Sequence, residues 1–294
     1  MSRAVKAQAA SVAVKRSYFG EIWHRLRRSP TAMVSLAFVL LLIVCAAGAP
    51  WIAPYDYAEQ DLTAKFIMPC AAHPFGTDNF GRDILSRMIV GARISLLVSA
   101  MAVGLSVVLA LLLGPVCGYF GGKFDSIVMR ILDVFMAVPG MLLTIVVSVA
   151  LGDGLFNTAV AISIGGVPAL ARQLRASTLL IRDEQYVEAA KSYGSGNGYI
   201  IFHHVLPNIL APVIVQVSLR LGESITAIAG LSFIGLGVQP PTPEWGNMLA
   251  SGQEYIRTFW PLITFPGVFI GLTMLACNLL GDGLRDAMDP RLKQ

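Results

Sequence analysis

The chain has 294 residues, of which 55% are hydrophobic and only 14% are charged. Soluble domains contain about 45–50% apolar and about 25% charged residues. The composition excludes a soluble globular protein of this size, because too few polar side chains are present to cover its surface. The mean hydropathy of +0.66 agrees with a chain whose excess apolar surface faces lipid.

Positive charge is concentrated near the N-terminus, although the formal net charge is only +4. Residues 1–30 contain a single acid, Glu21, and the basic residues Arg3, Lys6, Lys15, Arg16, Arg25, Arg27 and Arg28. A basic segment before an apolar run is typical of a cytoplasmic flank. We therefore predict a basic cytoplasmic tail over residues 1–30. The sequence lacks the aromatic–basic interleaving of nucleic-acid binding proteins, so no nucleic-acid partner is expected.

Six apolar runs approach the length of about 20 residues that crosses a bilayer as a helix. They are Thr31–Trp51, Leu96–Val116, Leu132–Leu151, Leu155–Leu170, Leu210–Leu231 and Leu262–Leu280. The first run, over residues 31–52, is predicted to be an uncleaved helix rather than a signal peptide or a lipoprotein anchor at Cys45. The fourth run is the shortest and contains Gly165, Gly166 and Pro168.

An even number of spans places both termini on the same side of the membrane. Sixteen of the 22 Lys and Arg residues lie in the N-terminal tail, in the segments 118–130 and 171–208, or after residue 282. This bias predicts cytoplasmic N- and C-termini. It also predicts a periplasmic loop over residues 53–92, a core membrane domain over 93–282 and a cytoplasmic tail over 283–294.

Metal and catalytic sites are not predicted. Cys45, Cys70, Cys117 and Cys277 lack metal-ligand spacing, and we expect small buried side chains except at Cys70, which should be exposed. The histidines are scattered outside the apolar runs. Gly121-Gly122-Lys123 superficially resembles a phosphate-binding loop, but the first glycine and the final Ser or Thr of that motif are missing. The chain is therefore not expected to be an enzyme or to bind a cofactor or metal of its own.

The segment 176–208 is the most informative cytoplasmic stretch. A helix is predicted over Arg182–Tyr193, with acids in its first turn and one apolar face formed by Tyr186, Ala189, Ala190 and Tyr193. Gly194 follows where helices often end in the left-handed conformation. A second short helix is predicted over Tyr199–Val205, ended by Pro207. Such a helix either docks into a partner protein or lies on lipid headgroups; its small residues and few basic residues favour the partner.

The segment Glu188-Ala189-Ala190, then Gly194, then Leu206-Pro207 resembles the cytoplasmic loop of ABC importer permeases. Five blocks resemble the second membrane subunit of the dipeptide, oligopeptide and nickel importer family. They are residues 73–78 with 81–83 (HPFGTD, GRD), 91–96 (GARISL), 204–208 (HVLPN), 239–246 (QPPTPEWG) and 278–286 with 289–290 (NLLGDGLRD, DP).

This resemblance implies an all-α, six-span permease of the type I ABC importer fold in the bacterial inner membrane. It also implies four kinds of partner: a homologous second permease, two ATP-binding subunits that hold ATP and Mg²⁺, a periplasmic solute-binding protein, and the lipid bilayer. The implied ATPase-coupling residues are Tyr186, Glu188, Ala189, Ala190, Gly194, Leu206 and Pro207.

A di- or oligopeptide is the expected solute, with nickel, glutathione or D,D-dipeptides as alternatives within the family. Candidate residues of the solute path or the permease interface are Pro139, Gly165, Gly166, Pro168, Arg220 and Glu223. Candidate residues on the side of the binding protein are Gly76, Asp78, Arg82 and Trp245. An alternative of another class is an ion-coupled secondary transporter, which would use Arg220 with Glu223 and would not need the segment 176–208.

Overall fold

The computed structural model describes residues 18–288, and all regular elements within this range are helical. The helices are α1 (Tyr18–Leu26), α2 (Pro30–Ala47), α3 (Ala49–Ile52), α4 (Ile84–Phe120), α5 (Gly122–Ala137), α6 (Gly140–Leu151), α7 (Leu155–Ile181), α8 (Gln185–Ser192), α9 (Asn197–Ile200), α10 (Leu206–Phe233), α11 (Trp245–Gly252) and α12 (Pro261–Met288). A π turn at Ile201–Val205 joins α9 to α10, and a 3₁₀ turn at Gln253–Tyr255 follows α11.

Five helices of the described range are long and apolar enough to cross a membrane: α2, α4, α7, the continuous α9–α10 helix and α12. The pair α5 and α6 adds a sixth span if the two are counted together, although they are bent by 93°. The fold is therefore a helical membrane protein of five or six spans, in agreement with the six predicted.

The third apolar run, Leu132–Leu151, is divided between two helices, α5 and α6, that meet at a sharp bend. α5 ends at Ala137, and Val138 is extended with φ −90° and ψ 130° before α6 begins at Gly140. Pro139 explains the break, because proline lacks a backbone N–H and disfavours helical geometry in the residue before it.

Other helices are longer than hydropathy indicated. α4 has 37 residues and begins at Ile84, where Asp83 accepts a hydrogen bond from the Ser86 backbone N–H at 2.7 Å, so residues 84–92 of the predicted loop are helical. α7 continues through Pro168 to Ile181. α12 reaches Met288, inside the predicted tail 283–294, whose last six residues lie outside the described range.

The core of the bundle consists of small buried clusters between helices. Ala110 of α4 and Leu170 and Leu174 of α7 are almost completely buried against α10. Ile22 and Leu26 of α1 pack on Ala287 of α12, so part of the predicted tail 1–30 is a helix against the last span. Cys117 and Cys277 are buried and Cys70 is exposed, which confirms the sequence prediction for these three.

Candidate functional site

A cavity of about 490 Å³ lies between the middle portions of α4 and α7, the start of α6 and the C-terminal half of α10. Its wall is mainly apolar and contains Ser106 of α4, Gly140 and Thr144 of α6, Gly165 and Gly166 of α7, and Arg220 and Glu223 of α10. This volume falls within the range of about 300–1,000 Å³ that small-molecule pockets occupy. The bend between α5 and α6 brings Gly140 to the cavity wall.

Arg220 and Glu223 are the charged residues of this wall. They lie three apart, so both side chains project from the same face of α10. Glu223 is exposed to the cavity, whereas Arg220 is partly buried and its Nε has no hydrogen-bond partner within residues 18–288. An ionisable residue at this depth in a span is costly and by default marks a functional site.

The cytoplasmic segment after α7 folds around a small core of its own. Val187 and Ala190 of α8 are buried against Ile200 and Val205. Of the four residues of the predicted apolar face, Tyr186, Ala189 and Tyr193 are exposed and only Ala190 belongs to this buried core. The face with Tyr186, Glu188, Ala189 and Tyr193 is named the outer face of α8. Tyr193 is 91% exposed, which is unusual for a large aromatic side chain.

The end of α8 is a Schellman motif. Gly194 N–H donates to Lys191 O at 2.9 Å and Ser195 N–H donates to Ala190 O at 3.1 Å. Gly194 has φ +78°, which confirms the predicted left-handed conformation.

The predicted stop at Pro207 is wrong. The helix continues from α9 through the π turn into α10, and Pro207 lies in the first turn of α10. Pro207 follows directly after the π turn, where the regular i→i−4 hydrogen bonds of the helix are already interrupted, so its missing N–H costs less there than in a regular helix interior. α9 is therefore continuous with α10, the helix that carries Arg220 and Glu223, whereas the turn at Gly194 separates α8 from α9.

Polar contacts attach the same segment to the end of α4. Tyr119 Oη donates to Asn197 Oδ1 at 3.1 Å, and Lys191 Nζ lies 5.5 Å from the centre of the Tyr119 ring. Arg182 Nη1 donates to Gly118 O at 3.2 Å. These contacts join the α8–α9 segment to α4 as well as to α10.

At the other end of the bundle, a compact cap forms from the loop before α4 and from α11. Asp78 accepts from Arg82 Nε at 2.6 Å and lies 3.7 Å from Arg87 Nε, all three side chains being buried. Trp245 is buried and donates from Nε1 to Met88 O at 3.0 Å. On the surface of the cap, the Thr63 hydroxyl and backbone N–H donate to Asp61 and hold the pKa of that carboxyl below its ordinary value.

Comparison with known proteins fits this arrangement. Residues 106–294 match the family described as "Binding-protein-dependent transport system inner membrane component". The chain belongs to this family. Residues 17–69 additionally match the "N-terminal TM domain of oligopeptide transport permease C".

Three curated relatives illustrate the branch to which this permease is similar. The di/tripeptide transport system permease protein DppC of Pseudomonas aeruginosa is 43% identical over 93% of this chain and 92% of the relative. The probable D,D-dipeptide transport system permease protein DdpC of Escherichia coli is 42% identical over 92% of this chain and 90% of the relative. The glutathione transport system permease protein GsiD of Escherichia coli is 44% identical over 95% of this chain and 92% of the relative.

The fold of the permease is also similar to a solved chain of the inward-facing MetNI methionine ABC transporter. The TM-score is 0.54 at 18% identity, covering 69% of this chain and 97% of the other. The permease is therefore a multi-pass membrane subunit with the fold of an ABC importer permease.

The structure brings together most of the predicted path residues. Gly165, Gly166, Arg220 and Glu223 line one cavity. Pro139 is exposed at the bend beside the lining residue Gly140. Pro168 is buried and does not line this cavity, so its place on the path or the permease interface stays a prediction.

The four candidate residues on the side of the binding protein lie in the cap. Gly76, Asp78, Arg82 and Trp245 are all buried. The Asp78–Arg82 contact holds the loop before α4, and Trp245 joins α11 to Met88 of α4. Their burial indicates that they support the surface of the cap, and their place on the side of the binding protein stays a prediction.

Sequence reasoning missed Tyr119 and Asn197, which are 78 residues apart and meet only in the folded chain. It also missed Val187 as the buried anchor of α8, since the helical spacing alone fitted two different faces. The position of Tyr119 at the end of a long apolar run was the one signal available in the sequence.

Proposed function

We propose that this permease carries a di- or oligopeptide across the bacterial inner membrane, driven by separate ATP-binding subunits that dock on the outer face of α8. The observation that carries this proposal is the chain of contacts from α8 to the cavity: Val187 and Ala190 of α8 pack on Ile200 and Val205, and the helix that contains Ile200 and Val205 continues as α10. α8 presents an exposed face away from this contact, and α10 carries the charged wall of the cavity.

The outer face of α8 suits a protein partner better than a lipid surface. It combines exposed aromatic residues, Tyr186 and Tyr193, with the small Ala189 and the acidic Glu188. An interfacial helix would present bulkier aliphatic residues and more Lys or Arg. Closure of an ATPase dimer would move α8, and the move would reach the cavity through α10 and α4.

The assembly that we propose contains a homologous second permease, two ATP-binding subunits and a periplasmic binding protein. The cavity in this permease would form one half of the solute path, and the second permease would close the other side. Both termini and the α8–α9 segment would be cytoplasmic, and the cap would face the periplasm. ATP and Mg²⁺ would be held by the ATP-binding subunits, and the chain itself would not be an enzyme.

A peptide is favoured as solute by the names of the relatives and by the opposite charges on the cavity wall. Nickel is disfavoured because the cationic Arg220 lies beside the carboxylate that would have to bind it. A glutathione or D,D-dipeptide permease would share the same chemistry and differ in its binding protein.

An ion-coupled secondary transporter is the second candidate, favoured by the charged pair within a span. Uptake by proteoliposomes that contain the complete complex separates the two. ATP-driven accumulation of a labelled peptide that persists when a protonophore collapses the proton gradient is expected for the importer. Uptake that needs the proton gradient and not ATP would support the rival.

A further inference from the structure

Arg220 and Glu223 carry opposite charges on one wall of the cavity but do not neutralise each other in an ion pair within the described residues 18–288. Arg220 Nε is buried without a hydrogen-bond partner in that range, and Glu223 is exposed to the cavity. Both charged groups therefore lie at a mainly apolar cavity wall without an ion-pair partner among the described residues. A charged side chain inside a membrane span is costly unless another polar or charged group compensates its charge.

The remaining polar side chains of the wall are already committed as donors. Ser106 Oγ donates to Ser163 O at 3.0 Å, Thr144 Oγ1 to Gly140 O at 2.8 Å, and Ser224 Oγ to Leu221 O at 2.9 Å. A solute in the cavity therefore meets the guanidinium of Arg220 and the carboxylate of Glu223 as the available charged groups.

Gly166 of α7 lies directly against the guanidinium of Arg220, where a larger residue would crowd it. A Cβ atom on Gly166 would lie 3.1 Å from Arg220 Nη1 and 3.0 Å from Ser106 Oγ. Contacts this short would push the guanidinium away from the α7 wall. Gly166 therefore holds space in which Arg220 can turn its donors toward the cavity.

We infer that Arg220 and Glu223 form a transient binding site for a zwitterionic peptide, in which Arg220 binds the α-carboxylate and Glu223 binds the α-ammonium. This inference rests on the proposed function. The planar guanidinium matches a carboxylate in two parallel hydrogen bonds. An extended dipeptide spans about 7 Å, a distance that two long side chains one turn apart on α10 can bracket.

Equilibrium dialysis of the purified permease–ATPase complex, without binding protein, tests the site directly. The probes are radiolabelled dialanine, its C-terminal amide and its N-acetyl derivative. The variants are Arg220→Gln and Glu223→Gln, with Arg220→Lys to keep the charge. Glu254→Gln and Arg257→Gln are matched controls, because these exposed residues have the same spacing outside the cavity. Abundance and thermal unfolding of each variant complex show that it is folded.

The native complex should bind dialanine roughly 10- to 100-fold more tightly than either blocked peptide, as expected for a hydrogen-bonded charge. Arg220→Gln should abolish the preference for the free carboxylate and keep that for the free amine, and Glu223→Gln should do the reverse. Arg220→Lys should keep part of the first preference, and the controls should keep both.

Equal discrimination in the native complex and in both neutral variants would overturn the inference, as would the absence of dialanine binding to the native complex. Uptake of dialanine by the native complex with ATP and binding protein is measured in parallel. If the native complex does not import dialanine, the proposed function is contradicted. If it imports dialanine but binds the free and the blocked peptides equally well, only this site is contradicted.

Discussion

Tyr119 and Asn197 join two parts of the chain that are 78 residues apart, through a hydrogen bond of 3.1 Å from the phenol to the amide oxygen. Tyr119 ends the longest described helix, α4, and Asn197 begins α9. The contact joins the α8–α9 segment to α4, a helix that lines the cavity, and we predict that α4 follows α8 when the ATP-binding subunits move it.

Tyr119→Phe should loosen this coupling while keeping the ring and its packing. One partly exposed hydrogen bond contributes about 0.5–1.5 kcal/mol, so peptide imported per ATP hydrolysed should fall by about 2- to 10-fold. Asn197→Ala should have a similar effect, and the double variant should be no worse than either single one. Additive losses in the double variant would show that the two residues act separately.

Gly194→Val should uncouple the permease from its ATPase without preventing insertion. No atom lies within 4 Å of the missing Cβ, but φ is +78°, so the substitution costs about 1 kcal/mol or more through backbone strain alone. Membrane abundance should stay normal, while ATPase copurification or uptake is lost. Gly196→Ala is the control, because Gly196 has φ −67° and equally open surroundings.

Glu188→Lys should weaken ATPase copurification, since it reverses a charge on the outer face of α8. Glu188 is exposed and close to the helix N-terminus, so a lysine there also opposes the helix dipole by about 0.3–1 kcal/mol. Glu188→Gln removes the charge without reversal and should give an intermediate result. Unchanged copurification in both variants would place the ATPase contact elsewhere.

Asp78→Ala should destabilise the cap rather than weaken binding-protein affinity. The carboxylate is buried between Arg82 and Arg87, and removing one partner of a buried pair costs about 3–5 kcal/mol because the other charge is left uncompensated. Thermal unfolding of the purified complex and membrane abundance should both fall. A stable variant that has lost only its response to the binding protein would place this residue in contact with that protein.

The sequence predicted the structure correctly where a local pattern is compatible with only one local conformation. Gly194 after an amphipathic stretch predicted a left-handed helix end, and two charged residues within an apolar run made Arg220 and Glu223 candidate path residues, which line one cavity. It was not informative where the outcome depended on distant packing. Hydropathy cannot distinguish Pro139, which breaks a span, from Pro168, which α7 accommodates, and it cannot reveal that Gly166 meets Arg220.

The membrane orientation can be checked with reporter fusions after Gln239 and after Ser192. Gln239 lies between α10 and the cap, and Ser192 ends α8. The periplasmic reporter should be active at the first position and the cytoplasmic reporter at the second. The opposite pattern at either position would contradict the orientation.

The central claim is that ATP hydrolysis in separate subunits drives solute through this permease by way of α8. Peptide uptake by proteoliposomes containing the whole complex and the binding protein, with the proton gradient collapsed, tests it most directly. We expect ATP-dependent uptake by the native complex and its loss in Gly194→Val at equal permease abundance. Uptake that continues without ATP, or that is unchanged in Gly194→Val, would contradict the claim.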